Sequence, residues 1–108
     1  MVIPQAEIDA LKEKNPGMDL RLLEHMEEQI IVRPATTAEY KRFKAMVMSS
    51  DPNVKIASYE SLLLDTVMIP DRTGLMVILG RRPGLVDTFG QAVSKLSGIA
   101  AEIEAKKV

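Results

Sequence analysis

Helix-breaking residues divide this 108-residue chain into short segments, and none of these segments exceeds 17 residues. Proline interrupts a helix because it lacks the amide hydrogen and its ring clashes with the preceding turn, while glycine commonly ends a helix. The breaks stand at 15–17, Pro34, Pro52, Pro70, 83–84 and 97–98. A membrane-spanning helix needs about 20 consecutive apolar residues. The spacing therefore predicts short helices and strands, and no membrane segment.

Most segments carry apolar residues at the spacing of one helix face. The clearest case is the last, where Leu85, Phe89 and Val93 recur every four residues. In another, Gly80 follows an apolar run and is predicted to end the helix. The pattern predicts helices over 4–14, 37–49, 53–67, 72–80 and 85–96.

The segment 18–33 fits two descriptions. Met18, Leu22 and Met26 recur at helical spacing, whereas the β-branched run 30–32 favours a strand. We prefer a small hairpin that pairs 18–24 with 29–33. Because an isolated two-stranded hairpin is marginally stable, it must pack against the helices.

These elements predict a mainly α fold, in which four to five short helices form a small bundle with a minor N-terminal β-hairpin. The alternative is an α+β fold. We expect one domain over 1–108, made of an N-terminal helix (1–17), the hairpin (18–34), a helical core (37–97) and a helical tail (99–108). The expected core is Phe43, Leu62, Leu63, Val67, Leu85, Phe89 and Val93, with Tyr40, Val47 and Ile56 on the buried stripes of their helices.

A capping box precedes the second helix. Thr36 stands three residues before Glu39, so the threonine side chain can accept from the Glu39 amide while the glutamate reaches back. Arg33 leaves the preceding strand beside this turn. We expect its guanidinium to contact Glu39 or Asp65, because arginine binds carboxylates through two parallel hydrogen bonds.

Composition and motifs argue against several chemistries. The formal charge of −1 lacks the positive excess that a phosphate backbone requires, so we expect no nucleic-acid partner. The absence of cysteine excludes thiolate chemistry, and the single histidine, His25, among turn carboxylates is a poor metal site. Tyr40 and Lys44 share a helix face, but this spacing is common on any helix. We therefore predict a non-enzymatic protein with no catalytic residues, metal or cofactor.

Methionine is abundant, with seven residues in the chain. Flexible methionine side chains suit surfaces that bind a partner helix, and they also fill cores. Partner binding and core filling both stay open for the four methionines that lie on the predicted helices or next to them. These candidates for partner binding or self-association are Met46, Met48, Met68 and Met76.

Three segments, in this order and spacing, resemble small phage and prophage proteins known as tail assembly chaperones. The first is the strand exit and helix start in 31–43, the second is the helix exit in 62–71, and the third is the last helix with its preceding turn in 81–98. Gly90 departs from the family pattern, in which a better helix former is usual. The motif residues are Arg33, Pro34, Thr36, Glu39, Tyr40, Asp65, Pro70, Pro83 and Gly84.

The resemblance implies a protein that binds the tape measure protein, a long helical chain, and recruits tail tube subunits in the cytoplasm of the bacterial host. Such a chaperone is absent from the finished particle and needs exposed apolar grooves rather than reactive groups. We also expect a homo-oligomer in isolation. The alternative is a structural tail or head-tail connector protein that is retained in the virion.

Overall fold

The computed structural model describes residues 1–98 and Lys107. The predicted helical tail over 99–108 therefore lies outside the described residues, apart from Lys107. The described part of the chain forms six helices and three short strands, which makes the fold α+β and mostly helical. The elements are α1 Gln5–Lys14, β1 Arg21–His25, β2 Glu28–Val32, α2 Thr37–Val47, α3 Pro52–Ile56, α4 Ser58–Thr66, β3 Val67–Ile69, α5 Arg72–Arg81 and α6 Leu85–Leu96.

The predicted hairpin is confirmed, although its first strand begins at Arg21 rather than at residue 18. β1 and β2 pair antiparallel, with Leu23 opposite Ile30. The turn holds two residues, Met26 and Glu27, whose φ angles are 51° and 66°. Two central residues with positive φ form the kind of turn that matches the right-handed twist of a hairpin.

The single helix predicted over 53–67 is wrong. The chain forms two helices separated at Ala57, and Val67 starts a strand rather than ending a helix. The hydroxyl of Ser58 donates to the Lys55 carbonyl at 2.7 Å, which satisfies a carbonyl at the end of α3. After Thr66, β-branched residues precede Pro70, and a residue before proline is disfavoured in the helical region. The strand they form, β3, pairs antiparallel with β2 and completes a sheet of order β1-β2-β3.

The core lies between the sheet and the helices α2, α4, α5 and α6. Six of the seven expected core residues are buried, whereas Val67 is half-buried in β3 and packs against the core from its edge. The buried cluster is Ile30, Val32, Phe43, Leu62, Leu63, Leu75, Ile78, Leu79, Leu85, Phe89 and Val93.

Two residues expected on buried stripes are exposed instead. Val47 stands at the very end of α2, one turn beyond the buried Phe43. Ile56 is the last residue of α3. Because the helix is interrupted at Ala57, Ile56 does not continue the buried face of α4. Helix α2 also ends two residues earlier than predicted. Gly80 lies inside α5, and Arg82 takes the C-terminal capping position predicted for the glycine.

Gly90 has a packing role that its helix propensity does not suggest. A Cβ atom at this position would lie 2.7 Å from the Tyr59 Cβ atom and from its ring. The glycine therefore allows α6 to approach α4 closely.

The two faces of the sheet are covered differently. Ile30 and Val32 point into the core, whereas Ile31 points to the opposite face, beneath α1. Helix α1 has no buried residue, and Ile8 and Leu11 on its inner side are half-buried. The longest described helix, α6, has 12 residues, so no helix in this part of the chain is long and apolar enough to cross a bilayer.

Candidate functional site

The side chain of Arg33 joins three elements at one point. Its two terminal nitrogens bind the two carboxylate oxygens of Glu39 at 2.7 and 3.0 Å. The same guanidinium donates to the backbone carbonyl of Asp65 at 2.8 Å and to that of Pro34 at 3.1 Å. The expected contact is therefore found with Glu39 through its side chain and with Asp65 through its backbone. It ties the end of β2 to the start of α2 and the end of α4.

The capping box beside this contact is confirmed. The Glu39 amide donates to the Thr36 hydroxyl at 3.2 Å, and the Thr36 amide donates to a Glu39 carboxylate oxygen at 2.9 Å. The hydrogen bond from Arg33, supported by those from Thr36, lowers the pKa of Glu39 to about 2 against the opposing effect of burial. Glu39 is thus held ionised as part of a structural contact.

The Asp65 carboxylate faces other arginines. It lies 3.1 Å from an Arg42 terminal nitrogen and 3.9 Å from one of Arg72. Arg72 also donates to the Leu64 carbonyl at 3.1 Å. These contacts connect α2, α4 and the start of α5, so Asp65 serves to hold helices together.

A second ionic contact surrounds Glu28, which is buried in β2. The amine of Met1 donates to its carboxylate at 2.9 Å, and a terminal nitrogen of Arg81 lies 3.3 Å away. The bond from this amine holds the pKa of Glu28 below its usual range despite burial, and Arg81 adds to the effect. His25, opposite Glu28 in the hairpin, is exposed.

The remaining motif residues lie at turns and at a groove. Tyr40 is half-buried and lines a groove on α2. Pro70 follows β3 and lines a groove of about 490 Å³ beside α1. Pro83 and Gly84 form the turn between α5 and α6, which borders another groove together with Arg81 and Arg82.

The four candidate methionines are spread over separate elements. Met46 and Met48 stand at the end of α2, where Met46 is half-buried and Met48 is 73% exposed. Met68 lies on β3 and lines the groove beside α1, and Met76 lies on the exposed side of α5. Their role in partner binding stays a prediction.

Exposed apolar residues lie at the ends of two neighbouring helices, α2 and α3. Val47 is 44% exposed and Ile56 78% exposed, and α3 packs against α2. Val47 also lines a groove of about 300 Å³ together with Tyr40, Phe43 and Lys44. We call the exposed region of Val47, Met48, Ile56, Lys41, Lys44 and Lys55 the α2–α3 surface.

The lysines give the α2–α3 surface a positive charge. Lys41, Lys44 and Met48 follow i, i+3, i+7 spacing, so they share one face of α2. Lys55 precedes the exposed Ile56 on α3. Within the described residues none of the three lysines forms an ion pair, since the carboxylates of Glu39 and Asp65 bind arginines. The surface therefore offers apolar contacts bordered by available cations.

Of this surface, Met48 was singled out in the sequence by its side-chain type, whereas Val47 was placed on a buried stripe. Ile56 was missed because its spacing places it in phase with Leu63 if the helix is continuous. No local signal marks the turn at Ala57 that exposes it.

The described residues contain no group of three histidine, aspartate or glutamate side chains placed to hold a metal ion. Their buried side-chain nitrogen and oxygen atoms all have hydrogen-bond partners. The ionic contacts of Arg33, Asp65 and Glu28 each connect separate helices and strands. The α2–α3 surface is the candidate functional site, because it combines exposed apolar side chains with exposed lysines.

No family model and no curated protein matches the chain. The fold is similar to the solved structure of an uncharacterised protein, rbstp2171, of Bacillus stearothermophilus, with a TM-score of 0.70. The similarity covers 92% of this chain and 99% of that chain at 18% sequence identity. At this identity the similarity concerns the fold alone.

Proposed function

We propose that this chain is a non-enzymatic tail assembly chaperone of a phage or prophage, which binds the tape measure protein during tail morphogenesis. The family assignment is supported by the ordered resemblance of 31–43, 62–71 and 81–98 to such proteins. The protein acts in the cytoplasm of the bacterial host, where it also recruits tail tube subunits.

The α2–α3 surface is the observation that carries the proposed binding mode. Met48 and Ile56 are 73% and 78% exposed on neighbouring helices, an arrangement that leaves apolar area open to water. An amphipathic helix covers such a surface with its apolar stripe. Because Lys41, Lys44 and Lys55 border the surface, the matching segment of the tape measure protein carries acidic residues beside that stripe.

Capture of the partner tests the proposal. The full chain is co-expressed with the tape measure protein of the same phage or prophage, and the complex is recovered through a tag on the chain. Replacing Met48 and Ile56 by serine should reduce recovery by about tenfold or more, since it removes apolar contact area from the interface. Unchanged helicity in circular dichroism shows that the variant is folded.

A matched control changes exposed apolar residues elsewhere. Val77 on α5 and Met26 in the hairpin turn are 55% and 57% exposed, and their replacement by serine should leave recovery unchanged. Loss of capture in this control variant alone would place the binding site away from the α2–α3 surface.

The structural alternative makes a different prediction about the particle. A chaperone is released before the tail is complete, whereas a tail or connector protein remains in it. Mass spectrometry of purified particles should therefore detect the tail tube protein and not this chain. Stoichiometric retention of the chain would contradict the chaperone role and favour a structural role.

A further inference from the structure

Helix α1 lies on the sheet without burying any of its ten residues. Within this helix only Ile8 and Leu11 are half-buried, and the other side chains are exposed. Helix α6, by contrast, buries five of its twelve residues. Because burial of an apolar face supplies most of the stability of a helix in a protein, α1 is held to the sheet weakly.

The local sequence adds little to the stability of α1. Pro4 precedes the helix, and no side chain caps its first amides. At ten residues, α1 is shorter than the roughly 12–15 residues below which isolated helices are marginal in water. The helical form of α1 therefore depends on its contacts with the sheet.

Two grooves lie between α1 and the sheet. One of about 250 Å³ is lined by Ile8 and Leu11 from α1 and by Leu22 and Ile31 from the strands. The other, of about 490 Å³, lies between α1 and β3. Because atoms that line a groove lack packing partners, they hold α1 less firmly than a filled interface would. Ile31 is buried outside the main core cluster, and α1 contributes its cover.

The chain is attached to the sheet on both sides of α1. Before the helix, Ile3 is buried and its amide donates to the side-chain oxygen of Gln29 at 2.9 Å. The Gln29 amide donates in turn to the Met1 carbonyl at 2.9 Å. After the helix, the chain enters β1 at Arg21, which pairs with Val32. Helix α1 can therefore leave the sheet as a loop between two attached ends.

We propose that α1 is a displaceable strap, which leaves the sheet while the hairpin and the helical core stay folded and residues 1–3 stay attached. Weakly packed elements open in this way at a lower free energy than global unfolding. Opening exposes Ile31 and uncovers Leu22 on the sheet, and it frees Ile8 and Leu11 on the helix. The chain thus holds a second apolar surface that is covered in the closed form. This inference does not depend on the proposed function.

Native-state hydrogen exchange of the full chain, followed for each amide by NMR, tests the proposal. The amides of α1 should be protected at least about a hundredfold less than those of α6, because they exchange through local opening. The Gln29 amide, which reports the attachment of residues 1–3, should be protected more strongly than those of α1. Equal protection of α1 and α6 would overturn the proposal. Exchange of Gln29 at the rate of α1 would also overturn it, since the whole segment would then detach.

A thiol probe tests the opening from the side of the sheet. The chain has no cysteine, so an introduced cysteine reports on its own position alone. Ile31→Cys places a thiol beneath α1, and the matched control Val32→Cys places one on the core face of the same strand. Both positions are buried in the closed form.

Reaction with a soluble maleimide under native conditions compares the two thiols. For Val32→Cys the rate should follow the global unfolding measured by urea denaturation of that variant. For Ile31→Cys it should exceed the rate expected from that variant's own global unfolding by at least about tenfold. A rate for Ile31→Cys that matches its global unfolding would contradict the strap.

Substitutions on α1 should change the opening. Replacing Ile8 and Leu11 by serine in the Ile31→Cys chain should raise the labelling rate by about tenfold or more, because it removes the apolar contacts that hold the helix. The control Glu13→Ser, at an exposed position of α1, should leave the rate unchanged. An unchanged rate in the chain without Ile8 and Leu11 would show that α1 does not control access to Ile31, and the proposal would fall.

Discussion

Helices α3 and α4 follow one another directly, yet an apolar residue of α4 is buried and one at the end of α3 is exposed. Leu63 in α4 is fully buried, while Ile56 at the end of α3 is 78% exposed. In the sequence both residues belong to one apolar stripe. The two residues are separated at Ala57, where α3 has ended and α4 begins.

This comparison shows what periodicity indicates and what it does not. Helix α4 is held between α2 and α6, and its stripe faces the sheet. Local residues stabilise the start of helix α3. The Asp51 side chain caps its N-terminus and Pro52 occupies its first turn. A helix with strong local signals forms without being drawn into the core, so its apolar residues stay available to a partner.

The largest expected difference is between alanine substitutions of Leu63 and of Ile56. Leu63→Ala should lower the free energy of unfolding by about 2–5 kcal/mol, because it leaves a cavity in a filled core. Ile56→Ala shortens a side chain that is 78% exposed and should change this free energy by less than about 0.5 kcal/mol. Urea denaturation measures both. A cost for Ile56→Ala near that of Leu63→Ala would show that α3 packs into the core in solution.

The same comparison of covered with exposed positions applies to charged residues of α2. Glu39 near the start is half-buried in an ion pair, and Lys44 near the end is exposed. The pKa of Glu39 is about 2 in the folded chain against an ordinary value of 4.5, because Arg33 and Thr36 bind the ionised carboxylate. A lowered folded pKa contributes stability above pH 4.5, and this contribution is lost as the pH falls towards 2. At neutral pH it is on the order of 2–3 kcal/mol.

Urea denaturation of Glu39→Gln across pH measures this contribution. The variant should lose that stability at neutral pH and should show a flatter dependence between pH 4.5 and 2 than the parent chain. Lys44→Met, on the exposed end of α2, should change the unfolding free energy by less than about 0.5 kcal/mol. Parallel pH profiles for the parent and Glu39→Gln would contradict the role given to the Arg33 contact.

Gly90 and Gly80 differ in the space around them: a neighbouring side chain lies against Gly90, and none lies near Gly80. Gly90→Ala in α6 places a methyl group 2.7 Å from Tyr59 and should cost about 1–3 kcal/mol, despite the better helix propensity of alanine. Gly80→Ala in α5 meets no atom within 4 Å and should stabilise the protein by up to about 1 kcal/mol. Thermal unfolding distinguishes them. A stabilising Gly90→Ala would mean that α4 and α6 lie further apart than described.

Particular residues show how far the candidate site could be predicted. The contact of Arg33 with Glu39 follows from six residues of separation and a capping box, and it was expected. The exposure of Met48 agrees with a candidate chosen for its side-chain chemistry. The exposure of Ile56 on a helix that packs against α2 could not be predicted, because it depends on where α3 ends and how it is placed.

Much of the local structure could be predicted from the sequence. The breaks at proline and glycine, the Thr36–Glu39 capping box and the regular stripe of α6 depend on residues close together in the chain. Other features depend on long-range packing. β3 exists because β2 offers an edge to 67–69, Gly90 is needed because Tyr59 lies against it, and Ile56 is exposed because nothing covers it within the described chain. These outcomes depend on residues distant in sequence, and only the assembled core brings such residues together.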